Sequence, residues 1–258
     1  MKKLKIGIVG IGRIGKIHIK NISENINDAI IYAAAKANVK NLPYLNKFGV
    51  KKIYNNFEEL VKDPLIDAVI ISSPTNFHSE HIKLASKYKK HIFCEKPIDL
   101  SMNKVKEVLD LVSKSGIKFM VGFNRRFDPN FNKVKKFSVA KKIGTTQIIK
   151  ITSRDPNPPP IEYIKGSGGM FLDMAIHDFD MARYIVGSEV YSVFSSGKVF
   201  GDKKIEEQGD IDTAITILTV QNGSMATIDN SRKANYGYDQ RIEVFGSKGM
   251  SGINNKVI

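Results

Sequence analysis

This 258-residue sequence predicts an α/β domain built on a parallel sheet, followed by a second domain of α+β type. Two observations carry the prediction. In the first half, short apolar runs alternate with helical patterns, as in a parallel sheet covered on both faces. After about residue 124 the rhythm changes, and strand-like segments with period-two alternation cluster around one long helical stretch. The length exceeds one average domain, so two modest domains fit, over 1–123 and 124–258.

Taken in order, Leu4–Val9 reads as a buried strand, followed by a glycine turn and a helix to about residue 23. Further strands are expected at 29–34, 68–72, 91–94 and 118–122, with helical stretches at 79–88 and 102–115. In the second domain, strands are expected at 147–153, 190–197, 212–220, 224–230 and 240–245. Gln221-Asn222-Gly223 is a hairpin signal between two of them. The long helix covers 170–186, and the proline-rich run at 156–160 is a stiff extended loop.

Bulk composition narrows the function classes. Apolar content of 42% and charged content of 26% suit a soluble globular protein. No apolar run approaches the roughly 20 residues needed to span a bilayer. The basic start resembles a signal peptide, but its apolar part is short and broken by glycines, so a buried strand fits better. The single Cys94 excludes an intramolecular disulfide and a cysteine-cluster metal site, and points to a reducing cytoplasm. The net charge of +14 invites a nucleic-acid reading. Only seven of the 40 basic residues are arginine, and they are spread along the chain without interleaved aromatics. No nucleic-acid partner is therefore expected, although the charge favours an anionic cofactor.

Gly10-Ile11-Gly12-Arg13-Ile14-Gly15 directly follows the first strand and opens a helix. In that context the three glycines serve different ends. Gly10 makes the tight turn, Gly12 admits a pyrophosphate, and Gly15 lets helix and strand pack. The helix N-terminus adds free N–H groups and a positive dipole end. The first domain thus reads as a Rossmann dinucleotide-binding domain for NAD or NADP. At the end of the second strand, NAD-selective folds carry an acidic residue that binds the ribose hydroxyls. Here Ala35-Lys36-Ala37-Asn38 offers none. Lys36, with Arg13 beside it, can pair with a 2′-phosphate, which leans toward NADP tolerance. The alternative is a solvated Lys36 and continued use of NAD.

Two segments bear on chemistry. Glu95-Lys96-Pro97 follows a strand, so Lys96 stands at the carboxyl edge where open α/β folds bind ligands. It reads either as functional or as one more exposed lysine. Asp173 and His177 are four residues apart, on one face of an α-helix in an apolar setting. A carboxylate beside an imidazole suits a general base near neutral pH. A structural hydrogen bond in a core helix fits equally. No further ligand has spacing suited to a metal, so none is expected.

These segments carry a resemblance to the Gfo/Idh/MocA oxidoreductases over essentially the whole chain. Its carriers are the glycine turn, residues 73–78, 93–97, 122–128, 153–156 and 169–184, and Tyr236-Gly-Tyr-Asp239. The resemblance implies a second domain with an open, mostly antiparallel sheet that floors the substrate site and makes a homo-oligomer, dimer or tetramer. It implies oxidation of a secondary alcohol on a cyclic polyol, as in myo-inositol to its 2-keto form. Another polyol or aldose is the nearest alternative, and a non-catalytic NAD(P)-binding remnant a further one. By the same resemblance Lys96, Asp173 and His177 are catalytic. Ser73, Thr75, Asn76, His78 and Glu95 line the cofactor, and Asn124, Arg125, Asp155 and Tyr236 meet substrate hydroxyls. The sequence departs from the family twice. Lys36 replaces the usual acidic residue, and the chain stops at Ile258 where relatives continue into a long packing helix, so exposed apolar surface and lower stability are expected.

Overall fold

In β1 (Leu4–Val9), Ile6 and Ile8 pack on one side of the sheet and Val9 on the other, all buried. Burial on both faces is what the unbroken apolar run requires. The structure, a computed structural model, describes residues 3–255. The outermost ends of the two expected domains, at 1–2 and 256–258, lie outside the described residues. The chain divides into two units, Met1–Gly122 and Phe123–Ile258.

The first unit holds a parallel sheet in the order β3-β2-β1-β4-β5-β6. Its other strands are β2 (Ala29–Ala35), β3 (Lys52–Tyr54), β4 (Ala68–Ile71), β5 (His91–Cys94) and β6 (Phe119–Val121). Helices α1 (Arg13–Asn25) and α2 (Leu42–Lys47) cover one face through Ile19 and Leu45. Helices α3 (Phe57–Lys62), α4 (His78–Lys87) and α5 (Met102–Ser115) cover the other through Leu60, Ile82 and Val108. This order reverses direction between β1 and β4, and the crevice at the carboxyl ends there is where doubly wound folds bind dinucleotides. Strand β3 escapes the sequence reading because a three-residue edge strand carries too little pattern to stand out.

The second unit holds a sheet in the order β12-β11-β7-β10-β9-β8. Its strands are β7 (Thr146–Arg154), β8 (Val190–Lys198), β9 (Thr213–Val220), β10 (Met225–Ser231), β11 (Asp239–Gly246) and β12 (Gly249–Ile253). Only β7 and β10 run parallel; the other neighbours are antiparallel. Two helices between β7 and β8, α7 (Ile161–Ser167) and α8 (Ile176–Val186), follow α6 (Pro129–Val139), and α9 (Lys203–Glu206) is a short turn before β9. Phe131 and Val134 of α6 and Met181 and Ile185 of α8 pack onto Ile149, Ile151, Leu218, Ile228 and Val244. Alternate residues point the other way and stay exposed, the pattern of a half-covered sheet.

One expectation needs correction. The stretch at 170–186 is not one α-helix: Met170–Ala175 is π-helical, and α8 begins only at Ile176. Asp173 therefore lies on a turn with i→i+5 bonding, and its face relative to His177 does not follow from α-helical spacing. Such turns are rare and recur at functional sites. Among the described residues, no helix is long and apolar enough to cross a membrane.

Candidate active site

β1 ends at Val9, and the chain turns through Gly10 at φ +89°, in the left-handed region that favours glycine. A Cβ at Gly10 would overlap the backbone of Ser72 and Ser73, and one at Gly15 would overlap the Gly10 carbonyl. Gly12 differs: nothing lies within 4 Å of its Cβ position. That open space at the amino end of α1 is a cradle a pyrophosphate can enter, so the residues present fit a dinucleotide. Ile11 is buried beneath the turn, Ile14 is half-buried, and Arg13 opens α1 at the surface. The Ser72 hydroxyl donates to the Gly10 carbonyl at 2.8 Å and pins the turn to β4.

Two substitutions separate packing from binding at this turn. Gly15→Ala is expected to lower the melting temperature, because its Cβ meets fixed backbone. Gly12→Ala is expected to leave melting unchanged and weaken NADH binding in a fluorescence titration. Equal losses of thermal stability in the two variants would contradict the assignment.

Other expected cofactor residues hang from the same carboxyl edge. Thr75 and Asn76 sit on a single 3-10 turn after β4, Thr75–Phe77. The Ser73 hydroxyl meets His81 Nδ1 at 3.0 Å. Burial, then the Lys36 charge, hold the His81 imidazole down to about 4. His78 is enclosed, at 1% exposure, rather than lining the crevice. Its Nδ1 lies 2.7 Å from the Pro97 carbonyl and its Nε2 2.7 Å from the Ser73 carbonyl. It braces the loop after β4 against the turn that carries Lys96. Glu95 ties the end of β5 to α1 through His18, 2.7 Å away. Lys96 is half-buried, just past β5. Lys36 is exposed just past β2, at φ +54°, with its ammonium 5.4 Å from the Phe77 ring centre.

In the second unit, Asp173 Oδ1 accepts the Tyr163 hydroxyl at 2.8 Å, and Oδ2 lies 3.5 Å from Arg232 Nη2. His177 is half-buried in the first turn of α8, edge-on to the Phe123 ring at 6.4 Å. Next to it, Asp178 is wholly buried and paired with Arg125, while Asn230 donates to its second oxygen at 2.8 Å. Burial raises the Asp178 carboxyl, and Arg125 and Asn230 pull it down. Arg125 also donates to the Ser153 hydroxyl at 3.1 Å, so its guanidinium is committed within the fold. Arg126 binds Asp180. These two arginines lock the turn Asn124–Phe127 onto α8 and leave Asn124 exposed at its start.

Asp155 follows β7, held by backbone bonds to Ser231 and Ala234. Burial raises its carboxyl against the opposing charges of Arg125 and Arg232, and Asp173 and Asp178 raise it further. Asp155, Asp173, Asp178, Arg125 and Arg232 thus form one electrostatic cluster. Tyr236 belongs to another network: its hydroxyl donates to Asp239 at 2.8 Å and accepts from Arg154 at 3.0 Å. Sequence reasoning missed Ser72, Asp210 and Arg232, because their partners are distant in the chain, and Tyr163, because its ten-residue separation from Asp173 matches no helical or strand period. Among the described residues, no group of three or more His, Cys, Asp or Glu side chains is placed to hold a metal.

A doubly wound sheet with a glycine turn at its switch point marks a dinucleotide-binding protein. Residues 4–123 match an oxidoreductase family with an NAD-binding Rossmann fold, and residues 131–251 match the GFO/IDH/MocA C-terminal domain. The chain belongs to the Gfo/Idh/MocA family of oxidoreductases. It is 50% identical over 247 residues to a myo-inositol 2-dehydrogenase of Thermotoga maritima, covering 95% of this chain and 74% of that one. A crystal structure of a probable dehydrogenase from Thermotoga maritima superposes with a TM-score of 0.95 at 49% identity, covering 98% of this chain and 76% of the other. A scyllo-inositol dehydrogenase of Lactobacillus casei, solved with NAD(H) and scyllo-inositol, gives a TM-score of 0.90 at 35% identity, covering 98% and 76%.

Proposed function

We propose that this protein oxidises myo-inositol to 2-keto-myo-inositol (scyllo-inosose), with NAD as hydride acceptor. The observation that carries the reading is an Asp173 held by the Tyr163 hydroxyl on the π-helical turn, with the half-buried His177 in the first turn of the helix that follows. The likeness to the Thermotoga maritima enzyme supplies the polyol. In this reading His177 takes the substrate hydroxyl proton, Lys96 polarises the same oxygen, and Asp173 orients the imidazole or holds a neighbouring hydroxyl. Asn124 and Asp155 are the proposed contacts for the remaining hydroxyls, whereas Arg125 and Tyr236 are committed to Asp178, Asp239 and Arg154 within the fold. NAD, when bound, accepts the hydride from the carbinol carbon. The glycine turn, Arg13, Ser73, Thr75, Asn76, His78 and Glu95 are proposed to hold or brace it.

The relative solved with scyllo-inositol favours a second substrate, which yields the same ketone because the two inositols are epimers at that carbon. Myo-inositol deuterated at C2 separates them. Turnover that transfers deuterium to the nicotinamide supports the first reading; consumption of scyllo-inositol alone sinks it.

Lys36 and the absence of a carboxylate at 35–38 favour NADP tolerance. Lys36→Asp is expected to shift the NADP/NAD ratio of kcat/KM toward NAD by about tenfold, as loss of one charge-assisted phosphate contact implies. An unchanged ratio would remove Lys36 from cofactor choice.

Self-association through the second sheet is also proposed. Its uncovered face presents Ile148, Phe194, Ile215, Ile217, Met225 and Phe245, all exposed and in neighbouring register. Contiguous apolar patches of this kind mark association surfaces. Sedimentation equilibrium should give a dimer or tetramer that Ile217→Lys weakens; a monomer at every concentration would refute it.

A further inference from the structure

Arg232 follows β10 and is 1% exposed. A guanidinium keeps its charge, and buried charges are stable only when paired and hydrogen-bonded. Its Nε, Nη1 and Nη2 nevertheless make no hydrogen bond among the described residues. Nη2 instead lies 3.5 Å from Asp173 Oδ2 and 3.8 Å from Asp210 Oδ2. Its position is fixed from the backbone, where the Arg232 N–H donates to the Asp212 carbonyl at 2.7 Å. Asp210 is fixed as well: Oδ1 accepts the Met170 N–H at 2.8 Å, at the start of the π-helical turn that carries Asp173. A Cβ at Gly169, which has φ +74°, would press on that same oxygen at 2.6 Å. One buried cation therefore faces two carboxylates, one capping the turn and one projecting from it.

We infer that Arg232 is a positioning residue, whose buried charge fixes the Asp173 carboxylate for the reaction at His177 and shares itself with Asp210. The inference rests on the reading of Asp173 and His177 as the reaction centre. The groups tied to Arg232 come from several elements: Asp173 of the π-helical turn, itself bonded to Tyr163 of α7, Asp210 before β9, and Asp155 after β7. Without Arg232 these carboxylates lose a cation and repel one another in a poorly solvated site. Repulsion of that kind moves the acidic side of a pH profile toward neutral.

Arg232→Gln keeps much of the volume and removes the charge; Arg232→Lys keeps the charge. With myo-inositol and NAD, Arg232→Gln is expected to lower kcat by about 10²-fold, the scale of a misplaced catalytic group. KM and NADH affinity should move little. The acidic limb of the pH profile should rise by about one unit, and Arg232→Lys should return it. A carboxyl NMR titration needs no turnover: the Asp155 midpoint should rise in Arg232→Gln and not in Arg232→Lys. If Arg232→Gln does not fold, Asp210→Asn carries the test, because removing one carboxylate should shift the acidic limb and the Asp155 midpoint downward. A limb and a midpoint that stay put in every folded variant overturn the inference, even if melting temperatures fall. Near-normal turnover by Asp173→Asn would instead overturn the reading of the reaction centre.

Discussion

His177→Ala is expected to lower kcat by about 10²–10⁴-fold while leaving NADH affinity within a few-fold of wild type. The range is what a positioned general base contributes, since the hydroxyl proton must leave as the hydride does. An imidazole is suited to this near neutral pH because its ordinary pKa lies there. The groups proposed to hold the dinucleotide belong to the first unit and His177 to the second, so binding and turnover should separate. Lys96→Ala, although on the first unit, is also expected to abolish turnover with NADH still bound, because Lys96 is proposed to meet the substrate oxygen and not the dinucleotide. Steady-state kinetics paired with fluorescence titration check both variants. Loss of NADH binding together with turnover would place His177 in folding rather than in chemistry.

Asp178→Ala is expected to destabilise the protein by about 3–5 kcal/mol, the largest single effect on stability from this region. Asp178 is fully buried, and its loss leaves the Arg125 guanidinium without its anion and takes one acceptor from the Asn230 amide. The penalty arises from the uncompensated cation more than from the lost attraction. A double variant with Arg125→Met and Asp178→Leu should therefore be more stable than Asp178→Ala alone. Urea denaturation measures both, and a double variant as unstable as the single one would contradict a charge-based origin. The pair also anchors the turn Asn124–Phe127 to the helix that carries His177. Any surviving Asp178→Ala protein should consequently show reduced kcat.

The parallel sheet was legible in the sequence wherever strands are buried on both sides, as in Leu4–Val9 and Ala68–Ile71. The glycine turn was legible because its three glycines stand in the one context where their spacing has steric meaning. Lys36 was legible as an absence of acid. Elements with little burial left no such trace: the edge strand Lys52–Tyr54 and the terminal strand Gly249–Ile253 carry no apolar alternation. The π-helical turn was hidden because i→i+4 spacing looks alike whether the backbone bonds as an α-helix or one residue wider. The polar cluster was hidden for a different reason. Arg125 and Asp178 are 53 residues apart, and no local pattern links them. Arg232 likewise looks like any basic residue in a chain of net charge +14, and only its burial against Asp173 and Asp210 distinguishes it.

The most direct test is NADH formation by the purified protein supplied with myo-inositol and NAD, set against scyllo-inositol and a small panel of aldoses. Oxidation of myo-inositol ahead of the others, lost in Lys96→Ala and His177→Ala, is the predicted result. Tight NADH binding without turnover of any polyol would contradict the account and mark the chain as a dinucleotide-binding protein without this chemistry.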